Sequence, residues 1–73
     1  MRVRYSKGAD LAYIYLRYPL PQGSVVKTYG CDPNEVGEIN LDFDESGHLV
    51  GIEVLDASRK LPPSILEDAT IID

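Results

Sequence analysis

The chain predicts an α+β domain that is mainly β: a single antiparallel sheet of about five strands, laid out as a meander of hairpins, with a short C-terminal helix. Three observations lead there. Ile39, Leu41 and Phe43 alternate with Glu38, Asn40 and Asp42, and after a polar cluster ending in Gly47 the alternation resumes at Val50, Ile52 and Val54, which is the period-two signature of a β-hairpin. Leu11 to Tyr18 is dense in aromatic and branched side chains and is bounded by Pro19, Pro21 and Gly23, as a strand should be. Only the stretch behind Leu61, Pro62, Pro63 and Ser64 has helical character.

Arg2 to Tyr5 alternates charged and apolar residues, and Ser6, Lys7, Gly8, Ala9 and Asp10 then supply turn chemistry, so a short strand and a tight connection are expected. In the next strand Ala12, Ile14 and Leu16 line one face, with Leu11, Tyr13, Tyr15 and Arg17 on the other. A strand apolar on both sides is expected to be central or covered by a second layer. Ser24 to Tyr29 forms a further strand, which Asp32, Pro33 and Asn34 break. In the turn from Asp44 to His48, Gly47 stands where the backbone often needs a left-handed conformation. The pattern stops at Asp56, Ala57 and Ser58; beyond it a helix over Ile65 to Ala69 has two turns at most and needs Ile65 and Leu66 docked on the sheet.

Size limits the core. The 73 residues make one domain, and a chain this short hides only about 60% of the surface its unfolded form exposes. Additional stabilisation from a metal, a disulfide or a partner subunit is common at this size. Cys31 is the single cysteine, so no internal disulfide is available; a lone thiol, with no leader or membrane-spanning run, fits a soluble cytoplasmic protein. The net charge of -5 argues against broad contact with nucleic-acid backbones. Charge is also segregated: Arg2, Arg4, Lys7, Arg17 and Lys27 precede residue 28, whereas residues 28 to 58 hold eight acids and no Lys or Arg. Early and late strands are therefore expected side by side, within a subunit or across a homodimer.

Asp42, Asp44, Ser46, Gly47 and Glu53 occupy the first, third, fifth, sixth and twelfth places of a calcium-loop spacing, with Leu49 at the eighth. Such loops join two helices, whereas the flanks here have strand period, and in a hairpin Glu53 lies too far down the returning strand to close a shell. The structural turn is preferred, and a Ca/Mg site on Asp42, Asp44, Ser46 and Glu53 is the alternative. His48, the only histidine, has no nucleophile pattern beside it, and Cys31 has no base or cation near in sequence. Five tyrosines, Tyr5, Tyr13, Tyr15, Tyr18 and Tyr29, could stack single-stranded nucleic acid, but the acidic balance favours a protein interface centred on Leu11, Tyr13, Tyr15 and Arg17. No catalytic residue set and no cofactor motif emerges.

The segments VRYSKGADLAYIYL and EINLDFDESGHLVGIEVLDASRKLP, with their spacing, resemble the small prokaryotic proteins grouped as domain of unknown function 2283. The resemblance covers nearly the whole chain, is most specific at the acidic turn followed by GIEVLDAS, and departs at Pro19 to Asn34. It implies a β-rich domain without an established activity, Gly51, Ile52, Glu53 and Asp56 as hallmarks without assigned roles, and an antitoxin or accessory role beside a small toxin-like partner; the acidic 32 to 56 region then calls for a small basic partner. The combined expectation is a non-enzymatic, homodimeric interaction module, with a metal-binding protein and an antitoxin-like neutraliser as alternatives.

Overall fold

In the computed structural model, which describes residues 1–73, the alternating segments become six strands: β1 Arg2–Ser6, β2 Leu11–Tyr15, β3 Lys27–Gly30, β4 Ile39–Phe43, β5 Leu49–Leu55 and β6 Thr70–Ile71. They form one sheet in the order β3-β4-β5-β2-β1-β6. The β4–β5 hairpin pairs antiparallel as expected, with an irregularity at Asp42/Phe43 where Val50 is the extra residue. β2 is central, between β1 and β5, which explains why its sequence is apolar on both sides.

Two corrections concern the sheet. It is mixed rather than purely antiparallel, because β6 runs parallel to β1 with Arg4 opposite Thr70 and Tyr5 opposite Ile71. Two residues are too few to display a period, so this strand leaves no trace in the pattern. Strand ends also move: β2 stops at Tyr15, where the amides of Leu16 and Arg17 both donate to the Val50 carbonyl, and β3 begins at Lys27. Leu16 therefore does not join Ala12 and Ile14 in the interior and is 49% exposed.

Three short helices complete the chain: α1 Pro33–Val36, α2 Ala57–Lys60 and α3 Pro63–Glu67. α1 occupies the stretch expected only as a break. The same residues explain it: Asp32 caps it by accepting from the Asn34 amide at 2.9 Å, Pro33 sits in its first turn, and Gly37, at φ 77°, ends it. From β5 to β6 the chain must cross β2 and β1, and α2 and α3 lie on that path, α3 packing on β1.

That crossover defines the two faces of the sheet. On the inner face Val3, Tyr5, Ala12, Ile14, Val54 and Ala57 form the buried core, with Ile39, Ile52, Leu61, Ile65, Leu66 and Ala69 packed against it. Ile65 and Leu66 do pack against this core, but from a helix that begins at Pro63 and ends at Glu67, two residues earlier at each end than the expected Ile65 to Ala69, because Pro63 already suits its first turn. Only 9 of 73 residues are buried and no large side chain is fully enclosed, so the core is as thin as the chain length implies.

Asp10 ties the β1–β2 turn to α2. Its carboxylate accepts from the Tyr5 hydroxyl at 2.6 Å, the Ser58 amide at 3.0 Å and the Ser58 hydroxyl at 2.8 Å, while its carbonyl accepts from the Ala57 amide. Its backbone is left-handed, at φ 51°. The hydrogen bonds from Tyr5 and Ser58 hold the Asp10 carboxyl below its ordinary range, and the bond to Asp10 raises the Tyr5 phenol.

Candidate functional site

The outer face of the sheet carries no helix core, and the registers place its residues in two rows. Arg2, Tyr15, Gly51, Asp42 and Thr28 lie opposite one another along the first row, and Arg4, Tyr13, Glu53, Asn40 and Gly30 along the second. Leu11 and Leu55 pair beyond them. One side of this face is basic, through Arg2 and Arg4 on β1, the other acidic, through Glu53 and Asp42 on β5 and β4, and the tyrosines of β2 divide them.

Tyr13 organises the rows. Its ring crosses β5 above Gly51, and its hydroxyl donates to Asp42 Oδ2 at 2.6 Å, while Thr28 donates to Asp42 Oδ1 at 2.7 Å. A Cβ on Gly51 would collide with the Tyr13 hydroxyl and ring edge, so glycine is what lets the ring lie across the strand there. Burial, then the bond to Asp42, pushes the Tyr13 phenol well above its ordinary value of 10.0. Asn40 donates to Glu53 at 2.8 Å, completing the polar pairs of this face.

The tyrosines form a stack. Tyr13 and Tyr15 meet edge to face with centroids 4.8 Å apart, and Tyr15 and Tyr18 do so at 5.2 Å. Arg2 lies over the Tyr18 ring at 4.1 Å from its centroid and donates to its hydroxyl at 3.3 Å. Leu11, Tyr13 and Tyr15 are half-buried and Tyr18 is 54% exposed. The result is an aromatic ridge along β2 that keeps one side accessible.

Of the residues singled out for an interface, Leu11, Tyr13 and Tyr15 share this face, whereas Arg17 lies beyond the end of β2. Arg17 instead lines a shallow polar depression with Gly23, Ser24, Val26, Asp44, Glu45 and Ser46. Of the acids in the calcium-loop spacing, Asp42 and Glu53 stand on the outer face while Asp44 and Ser46 form the turn. Asp44 Oδ1 accepts from the Ser46 amide at 3.0 Å and the His48 amide at 2.9 Å. The His48 bond, first, holds the Asp44 carboxyl below its ordinary value. Nowhere do three His, Cys, Asp or Glu side chains converge as ion ligands would. His48 Nδ1 lies 3.6 Å from Asp44 Oδ2, an ion pair only when the imidazole is protonated, and Cys31 is a partly buried free thiol.

The expected side-by-side placement of basic and acidic strands takes an indirect form. β2 does pair with β5, but Tyr13 stands between Arg4 and Glu53 in their row, so the opposite charges do not meet within the subunit. Sequence reasoning passed over Arg2, Arg4, Thr28, Asn40 and Gly51 as members of one face. A glycine inside a strand was the available signal, since it often marks a close approach by another group.

Fold and face together define a small α+β protein whose thin core backs an open, tyrosine-lined sheet face. The chain belongs to the family described as Protein of unknown function (DUF2283), whose model matches residues 2–58. That span contains both rows of the outer face and leaves out α3 and β6. No match was found among curated proteins or among solved structures. No helix is long and apolar enough to cross a membrane.

Proposed function

We propose that this chain is a non-enzymatic protein-interaction module that works as a homodimer. The observation that carries this reading is the stack of Tyr13, Tyr15 and Tyr18, flanked by Leu11 and Arg2, on a face that no helix of the chain covers. Tyrosine and arginine are enriched at the centres of protein interfaces, because a stiff ring buries area at low entropic cost while its hydroxyl keeps a partner. The thin core adds a second support, since a chain with so few buried residues gains stability from a partner subunit.

A metal-centred reading draws less support, because Asp42 and Asp44 are already engaged by Tyr13, Thr28 and the turn amides. A reducing, cytoplasmic setting suits the single thiol of Cys31. The test is solution mass by sedimentation or light scattering across a wide concentration range. A rise from 8.1 kDa to twice that value with concentration is expected; a mass that stays at the monomer value at every concentration defeats the dimer.

A further inference from the structure

We propose that two copies stack outer face on outer face about a two-fold axis parallel to β2, so that Arg4 of each copy lies over Glu53 of the other. This geometry rests on the homodimer reading above and says which surface and which residues make it.

The arrangement of charge points to this stacking. Along the outer face the order is acidic β4 and β5, aromatic β2, basic β1. A two-fold interface is self-complementary: whatever residue i meets in its partner, the partner's copy of that residue meets i. An axis across the strands would lay β1 on β1 and β5 on β5, placing like charges together. An axis along the strands exchanges the two sides instead, laying basic β1 on the acidic side of the other copy while the two β2 strands face each other at the centre. The charge order therefore selects one of the two stackings.

Three further facts fit. Arg4 is exposed and belongs to no ion pair in its own chain, so a partner's Glu53 has no internal competitor to displace. Glu53 is held by Asn40 through one oxygen, leaving the carboxylate its second oxygen for a guanidinium. The two larger dimensions of the molecule, 32 and 29 Å, bound a face on the scale of the roughly 800 Å² that each partner contributes to a standard interface.

The test is a charge swap. Arg4→Glu sets two carboxylates against each other at both symmetry-related contacts of its homodimer, and Glu53→Lys sets two cations against each other there. Each variant alone should therefore self-associate about tenfold or more weakly than wild type. An equimolar mixture restores an attractive contact in the heterodimer: where the two substituted side chains meet, a carboxylate again faces an ammonium, and where the two unsubstituted ones meet, Arg4 again faces Glu53. A heterodimer near wild-type affinity should form. Far-ultraviolet circular dichroism and cooperative melting establish that each variant is folded. Because Arg4 has no ion-pair partner in its own chain, Arg4→Glu is decisive even if Glu53→Lys melts poorly. A dimer indifferent to Arg4→Glu, or two weakened variants that do not recover on mixing, overturns this geometry while leaving dimerisation intact. A wild-type chain that never dimerises removes the homodimer reading, and this stacking falls with it.

Discussion

Gly51→Ala should destabilise the protein by about 1 to 3 kcal/mol, the usual cost of forcing a methyl group into an occupied site. The added Cβ falls on the hydroxyl and ring edge of Tyr13. That ring cannot swing aside freely, because Asp42 holds its hydroxyl at 2.6 Å and Tyr15 packs on it at 4.8 Å. Either the strands separate locally or Tyr13 leaves, and leaving gives up both contacts. A double-mutant cycle with Tyr13→Ala separates the causes: if Tyr13 is the obstacle, the alanine at position 51 should cost little once the ring is gone.

Titration provides an independent readout. With Tyr13 seated, its phenol resists ionisation at pH values where an ordinary tyrosine loses its proton near 10.0. A folded-state value raised above the unfolded one means this contribution is fully present below about pH 10 and is lost as pH climbs toward the folded value. In Gly51→Ala the phenol should titrate closer to its ordinary value by ultraviolet absorbance, and the alkaline loss of stability should flatten. Unchanged melting and unchanged titration together would show that Tyr13 does not lie over Gly51.

Asp10→Ala is the second large effect, and here several losses coincide. The substitution removes the acceptor for Tyr5 and for both Ser58 donors, and it places alanine at φ 51°, where an ordinary side chain costs about 1 to 2 kcal/mol for the backbone alone. The melting temperature should fall further than in Tyr5→Phe or Ser58→Ala, each of which removes only part of the clamp. Asp10→Asn, which tolerates the left-handed backbone, should be milder. The pH signature follows the sign of the shift: a folded-state value below 3.8 gives stability that is present above that pH and lost as pH falls through the lowered value. Asp10→Asn should therefore weaken this acid limb. Equal melting temperatures for Asp10→Ala and Ser58→Ala would contradict the clamp.

These two sites also show where sequence reading succeeds and where it stops. The β4–β5 hairpin is legible because alternation over Ile39 to Phe43 and Val50 to Val54 fits an extended chain buried on one side. The central place of β2 is legible for a related reason, since Leu11 to Tyr15 carries large side chains on both faces. Asp10, by contrast, reads only as a turn residue, because its partner Ser58 is 48 positions away. The Tyr13, Gly51 and Asp42 grouping depends on the register of three strands, which no local pattern encodes. β6 escapes notice because two residues have no period, and its parallel pairing is set by where α2 and α3 deliver the chain. The calcium-loop spacing shows the opposite failure: the spacing is met, while the strands that flank it direct Asp42 to the outer face and Asp44 into the turn.

The family span ends at residue 58, at the serine that completes the Asp10 clamp. Both rows of the outer face lie inside that span, whereas α3, which helps close the inner face, lies outside it. The division separates the tyrosine-lined outer face from part of the covering of the core.

If two copies meet through the tyrosine-lined outer face, isotope-filtered NMR on a mixture of labelled and unlabelled chains will detect the meeting atom by atom. Cross-peaks between copies from the rings of Tyr13 and Tyr15 and from Leu11 are expected. Contacts confined to Leu16, Leu41 and Tyr29, away from the outer-face rows, would contradict this interface.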